Sequence, residues 1–269
     1  MNYQVGRQYS DQTIRIPIRT WGAARVVIKV NHYSKPNTSY FDTAPIINGF
    51  ETFIVKIPNM PESVIIELYN EANGNLDADN TLAVGSISVM PIKLGWQISK
   101  IMNPTVSSFA RFSDIFAEDA AIISAQNSIY LSECGRFRID YKDVIRNDEG
   151  DVLRTPARIN SKTKIIEISK KHYLGYTVPG RKAINWHEFS HMFINKDRKN
   201  EMEADKNAIM LYLGTGNPTI EAYNVFLKVF KNSPSDLNKA RYNEINKYIK
   251  ELSYRINSNQ ISRNSQRNN

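Results

Sequence analysis

His187-Glu188-Phe189-Ser190-His191 decides the reading of this chain, because it holds two of only four histidines in 269 residues. Residues four apart on a helix stand on one face, one turn above the other, so both imidazoles can reach a single metal ion. Glu188, next to the first imidazole, is placed to hold a water on that metal and take its proton. The plainer alternative is a surface helix carrying two incidental histidines.

Glu201-Met202-Glu203-Ala204-Asp205 argues against that alternative. It opens a second helical pattern in which Glu201 and Asp205 again share a face. One carboxylate can point at the metal while the other accepts a hydrogen bond from an imidazole N–H. Ala204 is small and permits close approach of the two helices. Glu203 falls off this face and reads as a solvated charge. An ordinary acidic helix start would also explain these acids, since carboxylates favour the positive end of the macrodipole. Joined to the two histidines, the ligand reading is preferred.

The motif helix runs apolar around much of its surface (Ala183, Ile184, Trp186, Phe189, Phe193, Ile194), which predicts a buried helix whose histidines need partners. Pro179-Gly180 breaks the segment before it. Upstream, Arg136–Lys142 and Lys164–Ser169 read as strands, and Phe109, Phe112 and Phe116 form an apolar stripe over residues 105–121. Downstream, Leu213-Gly214 stops the Glu201 helix, and Asn217-Pro218 starts the next. A further helix runs from about Ser235 to Arg255 with Leu237, Ala240, Ile245, Ile249, Leu252 and Ile256 on one stripe.

HEFSH followed by an E-x-x-A-D helix resembles the gluzincin branch of the zincin metallopeptidases, over roughly residues 105–255. The resemblance implies a Zn2+ site with His187, His191 and Glu201 as ligands, Glu188 as the catalytic base, and Asp205 orienting a ligating histidine. It also implies a sheet whose edge strand pairs with an extended peptide substrate. The segment 163–169, with Ile165, Ile166, Glu167 and Ile168, is the candidate for that strand; a simple core strand is the bland alternative. Two features depart from the family's pattern. The stretch Met192–Asn200 is short, leaving room only for a tight loop, and no counterpart of the family's transition-state His or Tyr is evident. No Gly-x-x-His follows His191, so the three-histidine metzincin pattern is absent.

Residues 1–95 differ in kind. Thr13–Arg19, Ala24–Asn31, Thr52–Ile57, Ser63–Tyr69 and Ala83–Val89 read as short strands divided by Pro, Gly and Asn turns, which suits a small all-β sandwich. Pro17, between Ile16 and Ile18, marks an edge or a bulge. The expected fold class is therefore α+β. A β-sandwich for docking or assembly occupies residues 1–95, a linker 96–104, a zincin-like domain with a helical C-terminal half 105–256, and a polar tail 257–269 expected to be disordered.

A single cysteine, Cys134, excludes an intramolecular disulfide. There is no apolar leader and no run of apolar residues long enough to span a membrane, so neither export nor membrane insertion is expected. The formal net charge of +8 arises from 35 Lys and Arg against 27 Asp and Glu. No nucleic-acid motif accompanies it, and a solvated basic helix face accounts for it. A weaker resemblance, resting on the stretch Glu201–Tyr223, is to ring proteins from the tail or neck of crAss-like phages. It implies a homo-oligomeric ring beside other virion proteins, in a virion made in the bacterial cytoplasm. Three function classes follow: a virion structural protein with a gluzincin-like domain, a free cytosolic zinc endopeptidase working through a Glu-activated metal-bound water, and a non-catalytic zinc-binding regulator.

Overall fold

A computed structural model describes residues 2–4, 12–58, 61, 63–71, 82–91, 103–126, 128–160, 163–232 and 234–267. Among them lie eleven strands and six helices, an α+β architecture. The first seven strands form one antiparallel sheet organised on a single long strand, β2 (Gln12–His32). The expected strands Thr13–Arg19 and Ala24–Asn31 are thus one element. Gly22, which reads as a break, instead takes φ 121 beside a register shift between Arg19 and Ala23. That is a β-bulge, and glycine enters it without a Cβ penalty.

The C-terminal half of β2 is flanked by β3 (Ser39–Thr43) and β5 (Ser63–Asn70). Its N-terminal half pairs with β4 (Ile46–Ile57), β6 (Leu82–Val84) and β7 (Ser88–Pro91), and β1 (Asn2–Gln4) extends β5. Pro17 falls between the stretches that pair with β7 and β6, so its missing N–H interrupts neither ladder. Gly85 donates its N–H to the Pro17 carbonyl, and a Cβ there would meet Pro17 Cγ at 3.0 Å. Ile14, Ile16, Ile18, Ile28, Val30, Val55 and Val64 from both halves close on one apolar core, joined by Ala117 and Val178 from the rest of the chain.

Helix α1 (Pro104–Asp119) begins where the Asn103 side chain accepts the Val106 N–H. Asn103 and Pro104, expected to end a linker, therefore already belong to the helix; the linker's remaining residues, 96–102, lie outside the described residues. A second sheet follows, ordered β10-β11-β9-β8, from β8 (Ser128–Leu131), β9 (Arg138–Lys142), β10 (Ala157–Ile159) and β11 (Ile166–Ser169). This order corrects the edge-strand expectation. Ile166, Glu167 and Ile168 lie in an interior strand, parallel to β9 and antiparallel to β10, and Ile165 precedes it in a tight connection. All four residues of β11 (Ile166, Glu167, Ile168, Ser169) are buried, as befits a strand with neighbours on both sides. The edge is β10.

The remaining helices are α2 (Lys170–Tyr173), α3 (Val178–Phe193), α4 (Glu201–Gly214), α5 (Thr219–Asn232) and α6 (Asp236–Arg267). Pro179-Gly180 does not break the chain before α3; it forms its first turn, with Thr177 Oγ1 accepting the Gly180 N–H. Helix α4 passes through Gly214, and the left-handed residue that turns the chain is Gly216, at φ 83. Helix α6 continues to Arg267 through most of the expected polar tail, since no Gly or Pro between residues 236 and 267 stops its ladder. Among the described residues no helix is long and apolar enough to cross a membrane.

An aromatic cluster fixes α3 in the second core. Phe109 of α1 stacks on Phe189 at 4.2 Å between ring centroids and meets Trp186 and Phe137 edge-on. Buried charges tie α3 to α1 and to the loop after β2, and the end of α4 to β4. Arg181, fully buried, donates to the carbonyls of Ala117, Asn37 and Leu174, and Lys182 pairs with Asp114. Lys56 of β4 donates to the Thr215 carbonyl at 2.8 Å.

Candidate metal centre

Helix period alone sets His187 above His191 on α3; the rings stand 85° apart with centroids at 4.7 Å. Asn200 caps α4 by accepting the Glu203 N–H and so holds Glu201 in the first turn. Glu203 is not simply solvated: its carboxylate accepts the Lys196 and Asp197 N–H groups and pins the loop between the two helices. Ala204, fully buried, lets α4 lie close against α3.

These restraints bring the predicted ligands together. His187 Nε2 lies 3.1 Å from His191 Nε2 and 3.4 Å from Glu201 Oε2, and His191 Nε2 lies 3.4 Å from Glu201 Oε1. Donors about 2.0–2.2 Å from a tetrahedral zinc ion stand about 3.3–3.6 Å apart, close to this spacing. The tautomers point the same way. His187 Nδ1 faces Asp205 Oδ1 at 2.9 Å and His191 Nδ1 faces the Arg198 carbonyl at 2.8 Å. Both partners are acceptors, so each Nδ1 carries its hydrogen. The two Nε2 atoms then face one another and Glu201, an arrangement that a proton on His187 or a shared cation satisfies. The donor set and its spacing fit Zn2+.

The electrostatics of the cluster centre on His187. Burial would lower the His187 pKa, but hydrogen bonds to Asp205 and Glu201 overcome it and raise it to about 10. His191 is lowered by burial and by the charge of His187. The hydrogen bond from His187 holds the Glu201 carboxyl down at about 2. Glu188 is pushed the other way: burial raises it to about 7, against the pull of His187.

One site residue escaped the sequence reading. Arg241 of α6 donates through Nε and Nη2 to Asp205 Oδ2 at 3.0 and 2.8 Å, and through Nη2 to Glu201 Oε2 at 3.1 Å. Its guanidinium lies over the Phe230 ring, 5.0 Å from the centroid. The signal was available: Arg241, Ile245 and Ile249 occupy one i, i+4 row, and both isoleucines are fully buried. A charged residue on a buried row needs a buried partner.

The site opens into a cavity of about 520 Å³ lined by His187, Glu188, His191, Glu201, Asp205 and Arg241 together with edge strand β10. Of the predicted residues, Ile165, Ile166, Glu167 and Ile168 are not among those lining it; Ala157, Arg158 and Ile159 take their place. A search of family models, of curated proteins and of solved structures finds no match for this chain.

Proposed function

We propose that the chain is a zinc-dependent peptide hydrolase of the gluzincin type, with a zincin-like arrangement of α3, α4 and the second sheet. The observation that carries the reading is the convergence of two Nδ1-protonated imidazoles and the Glu201 carboxylate beside a buried Glu188. His187, His191 and Glu201 would hold the ion, and Asp205 would orient His187. When bound, Zn2+ supplies a Lewis acid at the scissile carbonyl and a more acidic water.

Glu188 lines the cavity, where burial keeps its proton affinity near neutrality. It is the group that takes the proton of the attacking water and returns it to the leaving amine. The substrate is held by β10. Asn160 and Pro156 hydrogen-bond across to β11, so alternation turns the backbone groups of Ala157 and Ile159 away from it. The Ile159 N–H is taken by Glu188 and the Ala157 carbonyl by the Thr155 hydroxyl, which leaves the Ala157 N–H and the Ile159 carbonyl for a peptide. A peptide adding there as a strand runs past the two histidines. The test is digestion of a peptide library by zinc-loaded protein, read by mass spectrometry. Glu188→Gln should retain one equivalent of zinc and lose cleavage. Zinc-loaded wild-type protein that cuts nothing in the library sinks the proposal.

A second reading concerns context: an assembly of identical copies, as in a phage tail or neck ring, in which the same domain is a building block. Trp21, Ile46, Phe50 and Ile54 support it, being 56, 73, 72 and 50% exposed on β2 and β4. Large exposed apolar groups on one sheet suit burial against another chain. Sedimentation of the purified protein tests it, and a monodisperse monomer at all concentrations removes it.

A further inference from the structure

The cavity over His187 and His191 has two chemically distinct ends, and resting on the hydrolase reading they define a substrate class. One wall is apolar: Ile184 of α3 with Val225, Phe226 and Val229 of α5. Ile184, Val225 and Phe226 are each less than 10% exposed, so this wall is built into the core and not a mobile fringe. The other end is the loop between α3 and α4, where Arg198 and Lys199 line the cavity and are exposed. Among the described residues neither side chain has an ion-pair or hydrogen-bond partner, although Asp197 is adjacent in sequence and its carboxylate accepts the Lys199 backbone N–H at 2.9 Å. The site's acidic groups pair elsewhere: Glu201 and Asp205 with His187 and Arg241, while Glu188 forms no ion pair with either cation among the described residues.

We infer that the preferred substrate is an extended peptide in which a large apolar residue, seated against Ile184, Val225, Phe226 and Val229, is accompanied within a few positions by an acidic residue facing Arg198 and Lys199. The apolar wall supplies area-driven binding, and the two cations set the register of the chain along β10 by charge complementarity. Discrimination of this kind is electrostatic and at the rim, so it weakens as salt rises.

The test uses the full-length, zinc-loaded Glu188→Gln protein, which binds without turnover, and fluorescent decapeptides with one Phe in a Gly-Ser background. A Glu or a Gln is moved stepwise along each peptide on either side of the Phe. The Glu peptides should bind about tenfold more tightly than their Gln twins at one or two positions at low salt, the gain expected of two rim cations. The double variant R198Q/K199Q should erase the difference, and R198E/K199E should reverse it, with zinc content unchanged in both. Equal binding of Glu and Gln peptides at every position, or a preference untouched by the charge changes, overturns the inference. Wild-type cleavage without acid preference would sink the specificity and leave the hydrolase reading standing. Acid-dependent binding without wild-type cleavage would do the converse.

Discussion

Asp205 serves two buried partners at once, and substituting asparagine makes them compete. In the native site Oδ1 accepts the His187 Nδ1 hydrogen at 2.9 Å, while Oδ2 accepts twice from Arg241. Asparagine offers one carbonyl oxygen and one NH2 group. If the oxygen serves His187, the NH2 is turned on the guanidinium, donor against donor. If it serves Arg241, the NH2 faces His187 Nδ1 and favours the tautomer whose hydrogen blocks Nε2. Either way the imidazole is no longer held for a metal, and loss of such a partner typically lowers affinity about 10–100-fold, or about 1.4–2.7 kcal/mol. Asp205 is 1% exposed, so the metal-free protein also suffers. Breaking a buried charged pair by removing one partner costs about 3–5 kcal/mol. The assays are zinc competition against a chromophoric chelator at neutral pH and urea unfolding of the metal-free protein. D205N/R241M should be more stable than D205N alone, because no buried guanidinium is left without its carboxylate. Zinc affinity of folded D205N within twofold of wild type would refute the orienting role, and a double variant no more stable than D205N would refute the pairing argument.

Three further outcomes follow from the packing and the backbone. Phe109→Ala, at a fully buried ring in contact with Phe137, Trp186 and Phe189, should lower unfolding free energy by about 3–5 kcal/mol; a loss below about 1.5 in urea titration would mean that the cluster does not hold α3. Gly22→Ala places a side chain at φ 121 with no atom within 4 Å, so its cost of about 1–3 kcal/mol is pure backbone strain, and an unchanged midpoint would place the bulge elsewhere. Burial raises the Glu221 carboxyl to about 7 although Asp42 N–H and Thr177 hydroxyl donate to it. A raised folded-state pKa gives stability that is full below the unfolded value of about 4.5 and is lost as pH rises through 7, about 3 kcal/mol in all. Glu221→Gln should therefore gain on wild type between pH 5 and pH 8, and a difference constant with pH would refute the assignment.

The candidate site residues were legible because each pair sits on one helix, where period fixes direction: His187 with His191, Glu201 with Asp205. Arg241 was not, although it touches both acids, because it reaches them across 36 and 40 residues of sequence from a helix with many charges on its outer face. The edge strand was misassigned for a related reason. Three isoleucines, Ile165, Ile166 and Ile168, give the β11 region a strong strand signal, whereas the three-residue Ala157–Ile159 strand holds a single isoleucine and gives little pattern. Strand order is a property of pairing between distant segments, and neither run contains it. Gly22 shows the limit of punctuation: the same residue that ends a strand elsewhere here lets one strand of 21 residues turn without ending.

The first sheet bears on the chemistry through the foot of α3. That helix carries His187 and His191 in its second half, while its first turns are held from outside: Val178 lies in the core of the first sheet, Arg181 donates to Asn37, and Lys182 meets Asp114. Thr177, the cap, donates its hydroxyl to Glu221, whose other oxygen accepts the Asp42 N–H. A helix anchored at one end only would swing its far end through more than the few tenths of an ångström that separate a tetrahedral donor set from a loose one. Here α1 packs along its length, α4 crosses the histidine end, and the sheet grips the start. The β-rich half is therefore part of what fixes the imidazoles, and its removal should loosen the candidate metal site even though none of its described residues lines the cavity.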